Sequence, residues 1–279
     1  MVQLHKYSGA GNTFVVLDGR TEDVSAFRTP EHISFYCKKF GTDGLMILTD
    51  DAEYDFRMEF YNPDGSGGMM CGNGGRCIVA FADALGLRPR DGRVFRFVAA
   101  DGEHTGEILR CAQDDNAKVG GGCKTVRLRM IDVHEFHPAL DGWFLDTGTR
   151  HFVRFVPDVE AVDIEEEGRR ARWDPVFAPV GANANFVSVD DGGVLHVRTF
   201  EKGVEGETLA CGTGITASAI AAFLCHPEPA SCHPERSEGS VHYDIQARIA
   251  RLAVEFVPRE DFFTDVYLTG PAEEVLDGV

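Results

Sequence analysis

Apolar residues at every second position predict that much of this chain is β-strand. Residues 56–61 (FRMEFY) and 126–130 (VRLRM) alternate in this way, so each gives a strand with one buried face. Residues 14–17 (FVVL) form a short apolar run after a glycine-rich turn and predict another strand. Strand is therefore the dominant secondary structure that the pattern predicts.

Two pairs of runs flank turn signals and predict β-hairpins. In one pair, residues 95–98 (FRFV) come before Asp101-Gly102 and a second run. In the other, residues 185–189 (NFVSV) come before a DDGG turn and the run 194–200.

Three segments predict helices. The first begins after the capping residue Thr29, has Pro30 at its first position and ends at Gly41. The second covers 76–85 and ends before a glycine. The third covers 213–224 and is apolar on nearly all sides, which is typical of a buried helix.

A near-repeat in the sequence indicates that the chain is built from two homologous halves. Residues 70–74 (MCGNG) and 210–214 (ACGTG) each follow a strand and lead directly into one of the two apolar helices. We expect a mixed α/β (α+β) fold of two pseudo-symmetric halves, 1–131 and 132–279, with the C-terminal segment able to cross over to the first half.

The two cysteine–glycine motifs have the features of anion-binding turns. Glycines remove side chains and allow positive φ, so a ligand can approach the backbone closely. The first N–H groups of a helix lack internal partners and attract a carboxylate or phosphate. A cysteine at that position gains a stabilised thiolate and a lower pKa.

If both turns bind one small carboxylate, its α-carbon lies between two thiols. Negative charge on the carboxylate is stabilised, which makes the α-proton easier to remove. Cys71 and Cys211 would then act as acid and base and exchange these roles in the reverse reaction. The alternative for each cysteine is a small buried hydrophobe, which is the interpretation favoured for Cys77 and, on a helix, for Cys37.

Composition narrows the partners. The 279 residues are 43% hydrophobic and 10% aromatic, as in globular proteins. A formal net charge of -18 argues against nucleic acid and anionic membrane as partners. Neither an apolar leader nor a run of about 18 apolar residues is present, so we expect no signal peptide and no membrane span.

The eight cysteines are expected to be free thiols, because the chain is long and their spacing is not dense. The motif CHPE at 225–228 recurs at 232–235 in a polar stretch that predicts a surface loop. A zinc site there is the alternative, although the spacing is not a usual zinc-ligand pattern. Residues 111–123 predict an extended hairpin. We expect no metal and no cofactor.

The sequence resembles the diaminopimelate epimerase family, which are pyridoxal-independent amino acid racemases. The resemblance extends over nearly the whole chain and rests on these segments: HKYSGAGNTF (5–14), YNPDG (61–65), MCGNGGRC (70–77), GANANF (181–186), TFEKG (199–203), ETLACGTG (207–214) and LTGPA (268–272).

This resemblance implies a fold and a reaction. Each half would be a barrel-like β-sheet around a central helix, and the halves would close over a small amino acid substrate. The reaction would be the epimerisation of LL-diaminopimelate to the meso form, for lysine and peptidoglycan precursor synthesis. It also implies a cytoplasmic homodimer.

The resemblance also assigns roles to particular residues. Cys71 and Cys211 would be the two bases. The other substrate-binding residues would be Asn12, Asn62, Gly72, Asn73, Thr149, His151, Asn183, Glu201, Lys202, Gly212 and Thr213. Backbone amides at 72, 73, 212 and 213 would hold the reacting carboxylate, while His151 and Glu201 would flank the reacting centre. The alternatives are a turn residue for Asn12, a strand-end histidine for His151 and a solvated charge for Glu201.

Three positions depart from the family pattern. Lys202 stands where the family has Arg, so it offers a charge but no planar fork for the distal carboxylate. Thr149 and Arg150 stand where an Asn or Ser and a Pro are usual. Thr149 can still bind substrate, and Arg150 could bind a carboxylate or point to solvent. A racemase for another amino acid, such as histidine or proline, and a non-catalytic anion- or metal-binding protein are the alternative functions.

Overall fold

The protein divides into two compact units. The computed structural model describes residues 2–68, 71–109, 123–225 and 239–275. The first unit is Met1–Leu128 together with Gly270–Val279, and the second is Arg129–Thr269. The expected hairpin extension at 111–123 and the CHPE repeat lie, except for Cys123 and Cys225 at their edges, outside the described residues.

The first unit is a closed barrel of eight strands. Its strands are β1 (His5–Gly9), β2 (Asn12–Asp18), β3 (Gly44–Thr49), β4 (Phe56–Tyr61), β5 (Val94–Ala99), β6 (Gly102–Leu109), β7 (Lys124–Arg129) and the end of β16 (Phe263–Glu274). Neighbours in this order pair with each other, and the end of β16 pairs with β1, which closes the barrel. The pairs β2–β3 and β4–β5 are parallel, and the other pairs between β1 and β7 are antiparallel.

Two helices complete the first unit. Helix α1 (Pro30–Phe40) packs against β2 and β3, where Ile33 and Cys37 join the apolar cluster of those strands. Helix α2 (Gly72–Ala84) contacts β1, β2, β3 and β6 and is buried along almost its whole length. It is therefore the central helix of the barrel.

The local signals for α1 are confirmed residue by residue. The Thr29 hydroxyl accepts from the His32 amide, and Gly41 ends the helix at a left-handed φ of 59°. The predicted start of α2 at residue 76 was wrong, because the helix begins at Gly72. The Cys-Gly-x-Gly segment is therefore the first turn of the helix rather than a loop before it.

The second unit repeats the strand pairing of the first. Its strands are β8 (Glu135–Ala139), β9 (Gly142–Asp146), β10 (Arg150–Phe155), β11 (Asn183–Val189), β12 (Leu195–Glu201), β13 (Gly206–Thr208), β14 (Val241–Gln246), β15 (Arg251–Pro258) and the start of β16. The pairs β10–β11 and β12–β14 are parallel, and β8–β9, β9–β10, β11–β12, β14–β15 and β15–β16 are antiparallel. The short strand β13 pairs only with β12.

The duplication predicted from the two cysteine motifs therefore extends to the topology. From β1 to β7 and from β9 to β16, leaving out β13, the parallel and antiparallel pairs follow in the same order. Helix α4 (Gly212–Cys225) precedes a parallel strand just as α2 does, contacts β9, β10, β11, β12, β14 and β15, and is buried on nearly all sides. The mixed α/β fold of two barrel-like halves, each around a central helix, is confirmed, as are both predicted hairpins.

The segment between β10 and β11 was not predicted. It contains the 3-10 turns Val159–Ala161 and Pro175–Phe177, the π-turn Ile164–Gly168 and the short helix α3 (Arg169–Arg172). Phe177 and Ile164 are buried with Phe152 and Phe186 in one apolar cluster, so this segment covers the strands as α1 does in the first unit. In the described part of the chain, no helix is long and apolar enough to cross a membrane.

Candidate active site

Cys71 is the N-cap of the central helix of the first unit. Its backbone is extended, and its sulfur accepts a hydrogen bond from the Gly74 amide at 3.2 Å. Gly74 does not have a positive φ, so the conformational role predicted for it was wrong. Glycine is needed at this position because a larger residue would be crowded: a Cβ there would lie 3.3 Å from both Cys71 Sγ and Met46 Sδ. The thiol of Cys71 is exposed at the end of the helix.

Asn73 and Asn12 are joined beside this first helical turn. The Asn73 amide nitrogen donates to Asn12 Oδ1, and Asn73 Oδ1 accepts from Arg76 Nη2 at 2.7 Å. Asn73 is almost completely buried. The helix start thus brings together four of the predicted residues, namely Asn12, Cys71, Gly72 and Asn73.

Asn62 lies on a separate turn that follows β4. Its backbone N–H donates to the Ser66 carbonyl, and its side-chain nitrogen donates to Ser66 Oγ at 3.0 Å. Asp64 in turn accepts from the amide and the hydroxyl of Ser66. The amide of Asn62 is therefore held by its own turn, and Met69 and Met70, between this turn and Cys71, lie outside the described residues.

Cys211 holds the equivalent position before the central helix of the second unit. The Ile215 amide donates to the Cys211 carbonyl at 2.9 Å, as Gly75 does to Cys71. The sulfur of Cys211 lies 3.4 Å from Thr213 Oγ1. Unlike Cys71, Cys211 is buried, with 8% of its surface exposed.

His151 connects this helix to strand β10. Its Nε2 lies 2.9 Å from the hydroxyls of both Thr149 and Thr213. Its Nδ1 lies 3.1 Å from Asn185 Nδ2, and the orientation of that amide is fixed because Nδ2 also donates to the Phe152 carbonyl. Nδ1 is therefore an acceptor, and the ring proton is on Nε2, facing the two hydroxyls.

Burial keeps this imidazole neutral. His151 is fully buried, and desolvation lowers its pKa from 6.5 to about 3, while the charge of Lys202 lowers it further. A neutral His151 can donate to Thr213, which leaves the hydroxyl of Thr213 able to donate to the sulfur of Cys211.

Asn183 and Asn185 lie two residues apart on β11. Asn183 donates to the Thr149 hydroxyl and the Arg150 carbonyl, and its Oδ1 accepts from the Lys202 amide at 2.7 Å. Asn185, which the sequence did not single out, accepts from Thr199 and holds His151. The signal for it was present, because residues i and i+2 of a strand share one face.

Lys202 and Arg150 have different environments. Lys202 is half-buried just after β12, and its ammonium makes no hydrogen bond or ion pair to any described residue. Arg150 donates to the Phe177 carbonyl at 3.1 Å, and its guanidinium lies 5.0 Å from the centre of the Phe144 ring. Arg150 is half-buried, and one nitrogen of its guanidinium is held by this backbone carbonyl.

Apart from Asn62, which lies on its own turn, the predicted residues thus form a group in each unit. In the second unit, side-chain contacts link Thr149, His151, Asn183, Cys211 and Thr213, with Glu201 at the end of β12 beside Lys202. Each group provides a thiol at a helix N-terminus and amide or hydroxyl groups that bind polar atoms. Among the described residues, no three His, Cys, Asp or Glu side chains are arranged to hold a metal ion.

The two-unit fold is shared with solved structures of racemases and related proteins. A phenazine biosynthesis protein of the PhzF family from Bacillus anthracis matches with a TM-score of 0.71 and 13% identity over 98% of this chain and 96% of that one. A probable proline racemase from Agrobacterium radiobacter K84 matches with a TM-score of 0.62 and 15% identity, over 98% and 90%. At such identities the likeness defines the fold alone.

Sequence comparison defines the family. The model for diaminopimelate epimerase matches residues 4–110 and 143–255. A protein named diaminopimelate epimerase from Flavobacterium psychrophilum is 34% identical over 99% of this chain and 99% of its own length. Another, from Chlorobaculum tepidum, is 34% identical over 97% of this chain and 98% of its own length. A diaminopimelate epimerase from Aquifex aeolicus is 37% identical over 80% of this chain and 82% of its own length. The chain belongs to the diaminopimelate epimerase family, and it is an isomerase with an epimerase function.

Proposed function

We propose that this enzyme converts LL-diaminopimelate to meso-diaminopimelate without a cofactor, using Cys71 and Cys211 as its two bases. The observation that carries this proposal is the matched position of the two cysteines. Each directly precedes the buried central helix of its unit, and each of these helices leads to a parallel strand in the same order of pairing.

The N-termini of the two central helices can stabilise the carboxylate of the substrate while its α-proton is removed. The first N–H groups of a helix have no carbonyl one turn earlier, and they carry the positive end of the helix dipole. The amides of Gly72, Asn73, Gly212 and Thr213 bind the carboxylate next to the reacting carbon. Negative charge that develops on this carboxylate during proton removal is thereby stabilised.

Two proton transfers then invert the configuration. The thiolate of one cysteine takes the α-proton, so that an S–H bond forms and the C–H electron pair moves into the carboxylate. The thiol of the other cysteine gives its proton to the opposite face of the carbon and becomes the thiolate. Product release leaves the two cysteines with exchanged protonation states, as the reverse reaction requires.

The remaining predicted residues bind the polar ends of the substrate. The Lys202 ammonium, which no described residue neutralises, attracts the distal carboxylate. Amides of Asn12, Asn62 and Asn183 and the hydroxyl of Thr149 bind the other polar atoms, and the Glu201 carboxylate accepts from a substrate ammonium. His151 and Thr213 support the sulfur of Cys211.

Chiral chromatography tests the substrate assignment. The reduced protein is incubated separately with LL-diaminopimelate, L-histidine and L-proline, and the isomers are resolved over time. We expect the meso isomer to form from LL-diaminopimelate and the other two amino acids to stay unchanged. Racemisation of histidine or proline without turnover of diaminopimelate would contradict the proposal and favour another racemase.

A place in lysine and peptidoglycan precursor synthesis is part of the same proposal. The homodimer and the cytoplasmic location that the family resemblance implies stay predictions.

A further inference from the structure

Arg76 is a fully buried cation in the first unit. It lies on α2, five residues after Cys71, with none of its surface exposed. Its guanidinium donates to Asn73 Oδ1 at 2.7 Å, to the Gly72 carbonyl at 3.3 Å and to the Pro271 carbonyl at 3.4 Å. All three acceptors are neutral, and no carboxylate of a described residue pairs with this charge.

Such an arrangement is costly unless an anion compensates it. Removing an ionised group from water without a partner of opposite charge is strongly unfavourable. Burial lowers the pKa of Arg76 to about 10, so the side chain is still a cation at neutral pH. The structure therefore holds a positive charge against the first turn of α2 for which hydrogen bonding alone does not account.

Cys71 is the N-cap of the turn whose Gly72 carbonyl and Asn73 side chain hold the Arg76 guanidinium, and its thiolate form would interact favourably with that charge. The other titratable groups around this helix match the charge less well. These groups are Tyr7 on β1, Cys77 and Asp83 on α2, His5, and Glu273 and Glu274 on β16. Burial raises the pKa of Cys77 and of Tyr7, so both stay protonated. Glu274 pairs with His5 at 2.7 Å, Asp83 pairs with Lys124, and Glu273 is exposed.

The second unit provides an internal comparison. Five residues after Cys211, Thr216 donates to the Gly212 carbonyl at 3.0 Å, just as Arg76 donates to the Gly72 carbonyl. The same backbone group is thus satisfied by a neutral hydroxyl in one unit and by a buried cation in the other. A hydrogen-bonding requirement alone does not explain the arginine, since threonine meets it.

We propose that Arg76 is a positioning residue: its buried charge holds Cys71 as the thiolate in the resting protein, while Cys211 rests as the thiol. Cys211 has neutral Thr216 at the matching position and contacts the Thr213 hydroxyl. The cation that acts on this relay, Lys202, is only half-buried, so solvent screens its charge more than that of Arg76. The catalytic consequence of this inference, though not the charge of the two sulfurs, rests on the proposed function. In that reaction, Cys71 is the base for the first turnover.

Arg76 also orients the amides beside Cys71. Because its Nη2 donates to Asn73 Oδ1, the nitrogen of Asn73 is directed to Asn12 Oδ1. Asn12 therefore uses its oxygen internally and keeps its N–H groups for a substrate acceptor. One buried cation thus sets both the charge of the sulfur and the donor direction of the neighbouring amide.

The pH profile of alkylation tests the charge of each sulfur. The reduced wild-type protein is treated with short pulses of iodoacetamide across a range of pH, and each modified cysteine is quantified by fragment-ion mass spectrometry. A protease other than trypsin is used, because Arg76 is itself a tryptic site. The ionisation midpoint of Cys71 is expected to lie below that of Cys211, and equal or reversed midpoints would overturn the proposal.

Variants test the part played by Arg76. Arg76→Met should raise the Cys71 midpoint by about 1 to 3 pH units, the usual effect of one nearby charge. Arg76→Lys should restore most of the shift, and the Cys211 midpoint should be the same in all three proteins. An unchanged Cys71 midpoint in a folded Arg76→Met protein, or equal shifts at both cysteines, would contradict the proposal. If Arg76→Met does not fold, Arg76→Gln, which keeps a donor to Asn73, takes its place, and the wild-type midpoints decide the question without any variant.

Turnover separates this inference from the proposed function. With LL-diaminopimelate, Arg76→Met should move the acidic limb of kcat/KM to higher pH by the same amount as the alkylation midpoint, with rescue by Arg76→Lys. A shifted alkylation midpoint in a protein that does not turn over this substrate would refute the proposed function but leave the role of Arg76 intact. Normal turnover of this substrate with unshifted midpoints would refute the role of Arg76 but leave the proposed function intact.

Discussion

His151 Nε2 lies 2.9 Å from Thr213 Oγ1, and the same hydroxyl lies 3.4 Å from the sulfur of Cys211. The imidazole comes from strand β10 and the threonine from the first turn of α4, so a fixed relay connects the strand to the helix. Asn185 fixes the tautomer of the ring from the other side. Burial of this relay has a consequence for stability that can be measured.

The stability of the second unit should depend on pH through His151. Its folded pKa, about 3, lies below its unfolded value of 6.5, so the unfolded chain binds a proton that the folded chain does not. This contribution is complete above the unfolded pKa and is lost as pH falls toward the folded pKa, by about 1.4 kcal/mol per pH unit. Urea unfolding at several pH values should show a shallower pH dependence for His151→Gln than for wild type.

A matched control is His137→Gln, which removes an exposed histidine of the same unit. It should have the wild-type pH dependence. If His151→Gln and wild type lose stability in parallel below the unfolded pKa, the ring is not held neutral in the folded protein.

Cys71 has separable structural and chemical roles. As an N-cap whose sulfur accepts from Gly74, it should be replaced structurally by serine, so Cys71→Ser should retain its melting temperature. Cys71→Ala should lose about 1 kcal/mol of stability, the usual cost of a lost cap. Both should lose epimerisation, as should Cys211→Ala, because neither replacement supplies a thiol. The control is Cys37→Ala, which removes a buried thiol outside the proposed chemistry and should keep the wild-type turnover per folded molecule. Appreciable turnover by Cys71→Ser would refute the two-base assignment.

Gly214 is required by space. A Cβ there would lie 2.4 Å from Asn185 Oδ1 and 3.2 Å from His151 Cε1, so Gly214→Ala should displace the relay. We expect a loss of about 1–3 kcal/mol, as for other overpacked cores, and a large fall in activity. Gly41→Ala is the comparison, since its Cβ meets no atom within 4 Å and only the positive φ opposes it. Similar activities for the two variants would show that the relay tolerates the displacement.

Lys202 should determine affinity for the distal carboxylate. Lys202→Met should raise the KM for LL-diaminopimelate about tenfold or more, because a hydrogen bond to a charged group contributes about 1.5–3 kcal/mol. Lys202→Arg should bind as well as wild type or better, since a guanidinium adds a planar fork. Lys39→Met, at an exposed lysine of α1, should leave KM unchanged. A fall in kcat alone for Lys202→Met would argue against a role in binding.

The elements with local signals were predicted well. Helix α1 was predicted to its last residue because its cap, its first proline and its final glycine are all in the sequence. The start of α2 was missed because Gly72, Gly74 and Gly75 disfavour a helix in isolation, and burial in the barrel overrides this preference. The turns within 159–177 were missed because such short pieces have no apolar period.

The candidate site was predicted only where its residues form a local motif in the sequence. The two cysteines are recognisable because the motif occurs twice. Asn185 and Arg76 were not singled out, because their importance depends on partners far away in the sequence, such as Thr199 and Pro271. The environment of Arg150 also depends on packing, against Phe144 and Phe177.

The most direct test of the two-base epimerase is the isotope content of the product. LL-diaminopimelate is incubated with the reduced protein in deuterium oxide, and the isomers are separated and analysed by mass spectrometry and NMR. We predict meso-diaminopimelate in which the inverted α-carbon carries deuterium, because the incoming proton comes from a cysteine that exchanges with solvent. Folded protein that gives neither inversion nor deuterium at either α-carbon would contradict it.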